Sequence, residues 1–121
     1  MAGYYEWSVS PEDGEKDPWF IHAAEPLLAA GLWGDTSALL PDGKLGTFTV
    51  ITGDSSGVSA DIHDRMPVWI PASLVDDWLA ADPDEALTML LPSKPPAMKA
   101  YRVSRAVNAP RNNASELVLP L

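Results

Sequence analysis

Residues 47–52 read Thr-Phe-Thr-Val-Ile-Thr, and this run predicts the clearest strand of the chain. β-branched and aromatic side chains suit the pleated, half-buried surface of a strand. Runs of the same kind stand at residues 3–9 and 18–22, separated by the turn-forming Pro11-Glu12-Asp13-Gly14. Together they predict an antiparallel hairpin with a long loop. The chain is therefore expected to be rich in short strands.

The segments between these strands are also short. Twelve prolines and eight glycines interrupt the 121 residues, which favours strands and turns over long helices. A small apolar strand is predicted from Leu27 to Trp33, and Pro41-Asp42-Gly43 predicts the turn before residue 47. The tail alternates at residues 99–103 and ends in Glu116-Leu117-Val118-Leu119.

Helical spacing occurs in one part of the chain. Ser73 resembles an N-cap, and the apolar residues at helical spacing after it are Leu74, Val75, Trp78 and Leu79. A second helix is predicted to start at Asp82, with Pro83 at its first position. These patterns predict a single α+β domain: mainly antiparallel strands over about 3–70, a helical insertion over about 73–91 and a basic C-terminal segment over 94–121.

Charge is distributed unevenly along the chain. Seventeen acidic and eight basic residues give a net charge of −9, which argues against sequence-independent binding of nucleic acid by the whole surface. Five of the bases lie in the tail, at Lys94, Lys99, Arg102, Arg105 and Arg111. Such a tail either neutralises the acidic body or faces phosphate groups.

Several classes of protein are disfavoured by composition. No apolar run approaches the roughly 18 residues of a membrane span, and the amino terminus lacks the pattern of a signal peptide. A soluble, cytoplasmic protein without a membrane partner is expected. Cysteine is absent, so these residues form no disulfide, no thiolate zinc site and no thiol nucleophile.

Two short stretches resemble a catalytic serine loop and a metal site, but neither has the residues that such a site requires. Gly53-Asp54-Ser55-Ser56-Gly57 is similar to the serine loop of trypsin-like proteases, but the chain is about half the required size and only His22 precedes the serine. A metal site at His63 with Asp61 and Asp64 has no ligand-spacing signature. We expect residues 53–57 to form a turn. We expect neither a metal nor a cofactor in the protein.

From their local sequence alone, Glu6 and His63 are predicted to have no catalytic role. Glu6 shares a strand face with Tyr4 and Ser8, and a strand glutamate is usually exposed. His63 follows a polar loop, where a histidine usually makes a local hydrogen bond. The five tryptophans are most simply packing residues, although an exposed one can stack on a base.

Five blocks of the sequence, taken in order, change these interpretations. They are Gly3-Tyr4-Tyr5-Glu6-Trp7, Ala30-Gly31-Leu32-Trp33, Thr47-Phe48-Thr49-Val50-Ile51-Thr52, Ile62-His63-Asp64-Arg65-Met66-Pro67-Val68, and Val103-Ser104-Arg105-Ala106-Val107-Asn108 with Glu116-Leu117. In order and approximate spacing they resemble the SOS response-associated peptidase family, whose members crosslink covalently to abasic sites in single-stranded DNA. The resemblance covers the C-terminal half of that family's domain, so the chain is expected to be a partial domain of this fold.

The resemblance implies roles for particular residues. Glu6 and His63 would be catalytic, moving protons at the sugar and at the imine carbon. Arg65 would bind a backbone phosphate, Thr52 would donate its hydroxyl to the DNA, and Trp7 would pack against the nucleotide. Further phosphate contacts are expected from the basic tail, at Arg105 and Arg111.

The resemblance also implies what these residues lack. Family members begin Met-Cys-Gly-Arg and carry an Asn-Ala-Arg-Ala-Glu block, and neither is present here. Methionine before alanine is normally removed, which would leave an amine at Ala2. That amine would lie roughly 13 Å from Glu6 along a strand, too far for direct proton transfer. The isolated chain is therefore not expected to crosslink DNA. We expect it to form or assist a crosslink with a complementary N-terminal half, to self-associate, or alternatively to be an inactive binding module or a truncated remnant.

Overall fold

The computed structural model describes residues 1–35 and 46–121. The predicted turn Pro41-Asp42-Gly43 lies outside the described residues. The strands, in chain order, are β1 (Gly3–Val9), β2 (Lys16–Ala23), β3 (Gly31–Asp35), β4 (Gly46–Val50), β5 (Thr52–Asp54), β6 (Arg65–Pro67) and β7 (Met98–Arg102). The helices are α1 (Val75–Ala80) and α2 (Pro83–Leu90). No helix in this described part is long and apolar enough to span a membrane.

Strand pairing confirms the predicted α+β class. The largest sheet has the order β1-β2-β7, and two further sheets pair β3 with β4 and β5 with β6. β1 and β2 form the predicted antiparallel hairpin, with Glu6 opposite Trp19, and β7 pairs antiparallel with the other edge of β2. Gly3 is needed at the open end of the hairpin, opposite His22, because a Cβ there would lie 2.6 Å from the carbonyl oxygen of Ile21.

The chain divides into two compact units. The first comprises Met1–Leu27, Asp54–Met66 and Pro95–Leu121 and contains the three-stranded sheet. Its core centres on Ile21 and Val103, both 0% exposed. Val103 follows β7 and donates its backbone N–H to the carbonyl of Pro18, at 3.1 Å. The tail therefore helps to build this core.

The second unit comprises Leu28–Gly53 and Pro67–Lys94 and contains the β3–β4 sheet and both helices. Among its described residues, Ala30 and Trp69 are the most buried apolar ones, at 0% and 3% exposed. The backbone N–H of Ala30 donates to the carbonyl of Val68, at 2.8 Å. This unit is built largely by backbone pairing between distant segments.

Two predicted strands have different bounds in the structure. The strand predicted at residues 47–52 is interrupted at Ile51, whose N–H donates to Ala30 and whose carbonyl accepts from Val68, each at 2.9 Å. These bonds draw Ile51 out of the β3–β4 ladder. The strand predicted to begin at Leu27 begins at Gly31 instead, since Ala29 forms an isolated bridge with Trp69.

The helix predictions have mixed outcomes. Asp82 is confirmed as the N-cap of α2, because its side chain accepts from the backbone N–H groups of Asp84 and Glu85 at 3.0 and 2.9 Å. The N-cap assignment of Ser73 is wrong: it lies inside a 3-10 turn, Ala72–Leu74, and α1 starts after it without a side-chain cap. The end of the tail is also a 3-10 turn, Ser115–Val118.

Candidate functional site

An open cleft of about 670 Å³ in the first unit gathers several of the predicted site residues. Its lining residues are Glu6, Trp7, Glu15, Lys16, His63, Val107, Asn108 and Pro110. Glu6, Trp7 and His63, which come from separate parts of the sequence, therefore share one cavity. A smaller cavity of about 310 Å³ in the second unit, beside Trp69 and Trp78, holds none of the predicted site residues.

Glu6 is positioned by β1, an edge strand of the three-stranded sheet. Its carboxylate accepts from the backbone N–H of Trp7 at 3.3 Å, and the residue is half-buried rather than exposed. Tyr4, two positions earlier, bonds through its hydroxyl to Ser59 at 3.0 Å. Burial raises the pKa of Tyr4, the Ser59 bond opposes this, and the negative charge of Glu6 raises it further.

His63 is held at the end of a tight turn. Its backbone N–H donates to the carbonyl of buried Ser59 at 2.9 Å. Nδ1 of the ring lies 3.1 Å from both the backbone nitrogen and the carbonyl oxygen of Arg65, so it accepts from the N–H in one neutral tautomer and donates to the carbonyl in the other. When the ring is protonated, Nδ1 can donate to the Asp64 carboxylate, 3.3 Å away. Both charge states of the imidazole therefore have a hydrogen-bond partner.

The residues predicted to contact DNA have varied surroundings. Arg65 pairs with Asp54 at 3.0 Å, with side chains 49% and 96% exposed. Thr52 is exposed and belongs to the second unit. Among residues 1–35 and 46–121, no ion pair involves Arg111. An exposed pair such as Arg65–Asp54 contributes little to stability.

Arg105 has a structural role instead. Its guanidinium bonds Asp17 at 2.8 Å and Asp13 at 2.6 Å. Arg102 reaches the other oxygen of Asp17 at 2.7 Å, and the Asp17 side chain is only 6% exposed. These contacts confirm internal neutralisation for two of the five basic residues of the tail. The phosphate contact predicted for Arg105 stays a prediction without support from this geometry.

Asn108 is a cleft residue to which the sequence assigned no role. Its Oδ1 accepts from the indole Nε1 of Trp7 at 2.7 Å, and its Nδ2 donates to the carbonyl of Lys16 at 3.1 Å. The only signal for it in the sequence was its place at the end of the block Val103–Asn108. Lys16 and Glu15, also in the cleft, carried no signal.

Comparison with known proteins decides the family. The family described as SOS response associated peptidase (SRAP) matches residues 1–110. The chain belongs to the SRAP family. It is 34% identical over 120 residues to the abasic site processing protein YoqW of Bacillus subtilis, and the match covers 95% of this chain and 53% of YoqW. The chain thus spans about half the length of this SRAP relative.

Two solved structures share the fold of this chain. A protein from Bacteroides thetaiotaomicron has the same fold at a TM-score of 0.76 and 22% identity, covering 100% of this chain and 54% of that one. A phage-related protein from Bordetella bronchiseptica gives a TM-score of 0.66 at 33% identity, covering 87% of this chain and 51% of that one.

Proposed function

We propose that this SRAP chain supplies the proton-transfer half of a site that joins protein to an abasic site in single-stranded DNA. The observation that carries the proposal is the shared cleft of Glu6 and His63. A carboxylate and an imidazole in one cleft can serve as a general acid and a general base. The name of the relative YoqW, an abasic site processing protein, supports the choice of substrate.

The chemistry assigns a task to each group. An amine adds to the aldehyde carbon of the ring-opened abasic sugar, and the aldehyde oxygen leaves as water after it gains protons. A thiol then adds to the imine carbon and its proton moves to the nitrogen. Glu6 and His63 would move these protons. Because the 121 residues contain no cysteine, the thiol must come from residues outside them, such as a complementary polypeptide.

DNA binding would use Trp7 of the cleft together with residues that do not line it. Trp7 offers an aromatic face against which a nucleotide can pack. Arg65 would bind a backbone phosphate, and Thr52 and Arg111 would add contacts. The amino group of Met1 donates to the carbonyl of Leu27 at 2.7 Å, and Met1 does not line the cleft. Because residues 1–121 contain no thiol, they are expected to form no ring-closed thiazolidine adduct with abasic DNA by themselves.

A small aminothiol tests the catalytic assignment directly. Cysteamine carries both the amine and the thiol and forms a ring adduct with an abasic oligonucleotide. We expect the chain to accelerate this reaction, and Glu6→Gln or His63→Ala to lower the acceleration at least about tenfold. Mass spectrometry of the oligonucleotide follows the adduct. Lys99→Ala, which removes an exposed charge of β7, is the control variant and should retain the acceleration.

A non-covalent binding module is the second candidate, because the sequence lacks cysteine while the cleft keeps its aromatic wall. An oligonucleotide with a tetrahydrofuran abasic analogue separates the two functions. Arg65→Ala should weaken its binding and reduce the salt dependence by about one charge. A chain that binds this oligonucleotide but leaves the cysteamine reaction unaccelerated is a binding module, and the catalytic assignment is then wrong.

A further inference from the structure

The side-chain amide of Asn108 makes two bonds of opposite polarity at the edge of the cleft. Its oxygen accepts from the Trp7 indole at 2.7 Å and its nitrogen donates to the Lys16 carbonyl at 3.1 Å. An indole N–H only donates and a carbonyl only accepts, so these partners fix which end of the amide faces which group. Aspartate could replace the acceptor but not the donor, and leucine could replace neither.

The segment that carries Asn108 is itself anchored. Asn108 ends the 3-10 turn Arg105–Asn108, whose first residue is bound to Asp13 and Asp17. The side chain of Ser104 accepts from Ala106 at the start of the turn, at 3.2 Å. The Asn112 amide closes the far side by donating to the Ala106 carbonyl, at 2.8 Å. The Asn108 amide is therefore presented from a fixed support.

Trp7 connects this support to the proposed chemistry. Its backbone N–H donates to the carboxylate of Glu6, while its indole lines the cleft with Glu6 and His63. The indole also packs near Tyr5, with ring centroids 6.4 Å apart. A tilted ring contact at this distance constrains the indole only loosely, whereas the bond to Asn108 fixes the direction of the N–H edge.

We propose that Asn108 is a positioning residue, which holds the Trp7 indole as a preformed wall for the nucleotide at the abasic site. The inference deepens the proposed function and rests on it for the identity of the ligand. Holding the indole in one rotamer before binding removes an ordering cost that the complex would otherwise meet. Asn108 acts on binding, and the proton transfers of Glu6 and His63 do not pass through it.

The test pairs Asn108→Leu with Ser8→Ala. Leucine has a similar size but neither hydrogen-bonding group. Ser8→Ala releases the indole of Trp19, which donates to the Ser8 hydroxyl at 2.9 Å but lies outside the cleft lining. The two variants therefore each free one indole N–H, and only one of these indoles faces the cleft.

Three readouts and a double variant separate positioning from stability. Hydrogen exchange of the Trp7 indole N–H, followed by NMR, should accelerate in Asn108→Leu and stay unchanged in Ser8→Ala. Affinity for the tetrahydrofuran oligonucleotide should fall about tenfold in Asn108→Leu and stay within twofold in Ser8→Ala. The pH profile of the cysteamine reaction should keep its shape. In a Trp7→Phe background, which has no indole N–H, adding Asn108→Leu should have little further effect on affinity.

The outcomes are distinct for the two proposals. Unchanged exchange of the Trp7 indole in Asn108→Leu overturns the positioning role. Equal loss of affinity from Asn108→Leu and Ser8→Ala also overturns it, because the effect would then be general destabilisation. If the wild-type chain fails to bind the oligonucleotide, the proposed function fails, while the exchange measurement still decides whether Asn108 holds Trp7.

Discussion

Asp17 is the residue on which the charge balance of the first unit depends. A buried carboxylate is costly unless cations and hydrogen bonds compensate it. Arg102 and Arg105 supply that compensation from the tail, and Arg105 also binds the exposed Asp13. Hydrogen bonds from Arg105 and from the backbone N–H of Glu15 hold the pKa of Asp13 well below its ordinary value. The net charge of the whole chain hides this local pairing.

The Asp13 contact predicts how stability changes with pH. Because the native state lowers the pKa of Asp13, the unfolded chain binds its proton more readily on acidification, so the contact stabilises above about pH 4 and is lost as pH falls further. Asp13→Asn should therefore be less stable than wild type at pH 6, and the difference should shrink below pH 4. Urea midpoints at a series of pH values measure this.

Glu25→Gln removes a different exposed carboxylate and is the control for that series. A gap between wild type and Asp13→Asn that is as wide at pH 3 as at pH 6 would contradict the assignment.

At the scale of elements, local sequence patterns predicted a strand or helix correctly where neighbouring residues alone determine it. The β1–β2 hairpin followed from its residue types and turn, and the start of α2 followed from Asp82 and Pro83. The break at Ile51 was not predictable, because it is caused by bonds to Ala30 and Val68. The N-cap prediction for Ser73 was wrong because a serine before an apolar run is compatible with both an N-cap and a 3-10 turn.

The capping box of α2 gives the prediction at this scale. Asp82→Ala removes the acceptor of two backbone N–H groups and should lower the free energy of unfolding by about 1 kcal/mol. Ser73→Ala, at a residue that caps no helix, should change it by less than about 0.5 kcal/mol. Urea unfolding followed by far-UV circular dichroism compares the two. A larger effect from Ser73→Ala would show that the helix starts were assigned wrongly.

For the whole molecule, predictability depended on distance in the sequence. Glu6 and His63 were each recognisable within a short block, but their common cleft arises only when β1 and the turn before β6 come together. The role of Asn108 depends on a bond to Trp7 from the other end of the chain, so no local pattern could reveal it. The roles assigned to Arg65, Thr52 and Arg111 stay predictions.

An exposed aromatic pair on the β3–β4 sheet predicts association. Trp33 and Phe48 lie opposite each other and are 80% and 84% exposed, and such apolar surface favours contact with another chain. Trp33→Ser with Phe48→Ser should reduce concentration-dependent association in sedimentation velocity. The matched control is Leu79→Ser with Leu91→Ser, which removes side chains that are 76% and 80% exposed. Equal reductions by both pairs would argue against a role for the sheet.

The three-part composition of the first unit has a consequence for protein synthesis. The hairpin of β1 and β2 is translated well before β7 and Val103, which complete its sheet and core. Until then Ile21 and the carboxylate of Asp17 lack their covering partners. The hairpin therefore emerges before its partners are made, and a chain that stops before Met98 lacks β7 and the cleft residues Val107, Asn108 and Pro110.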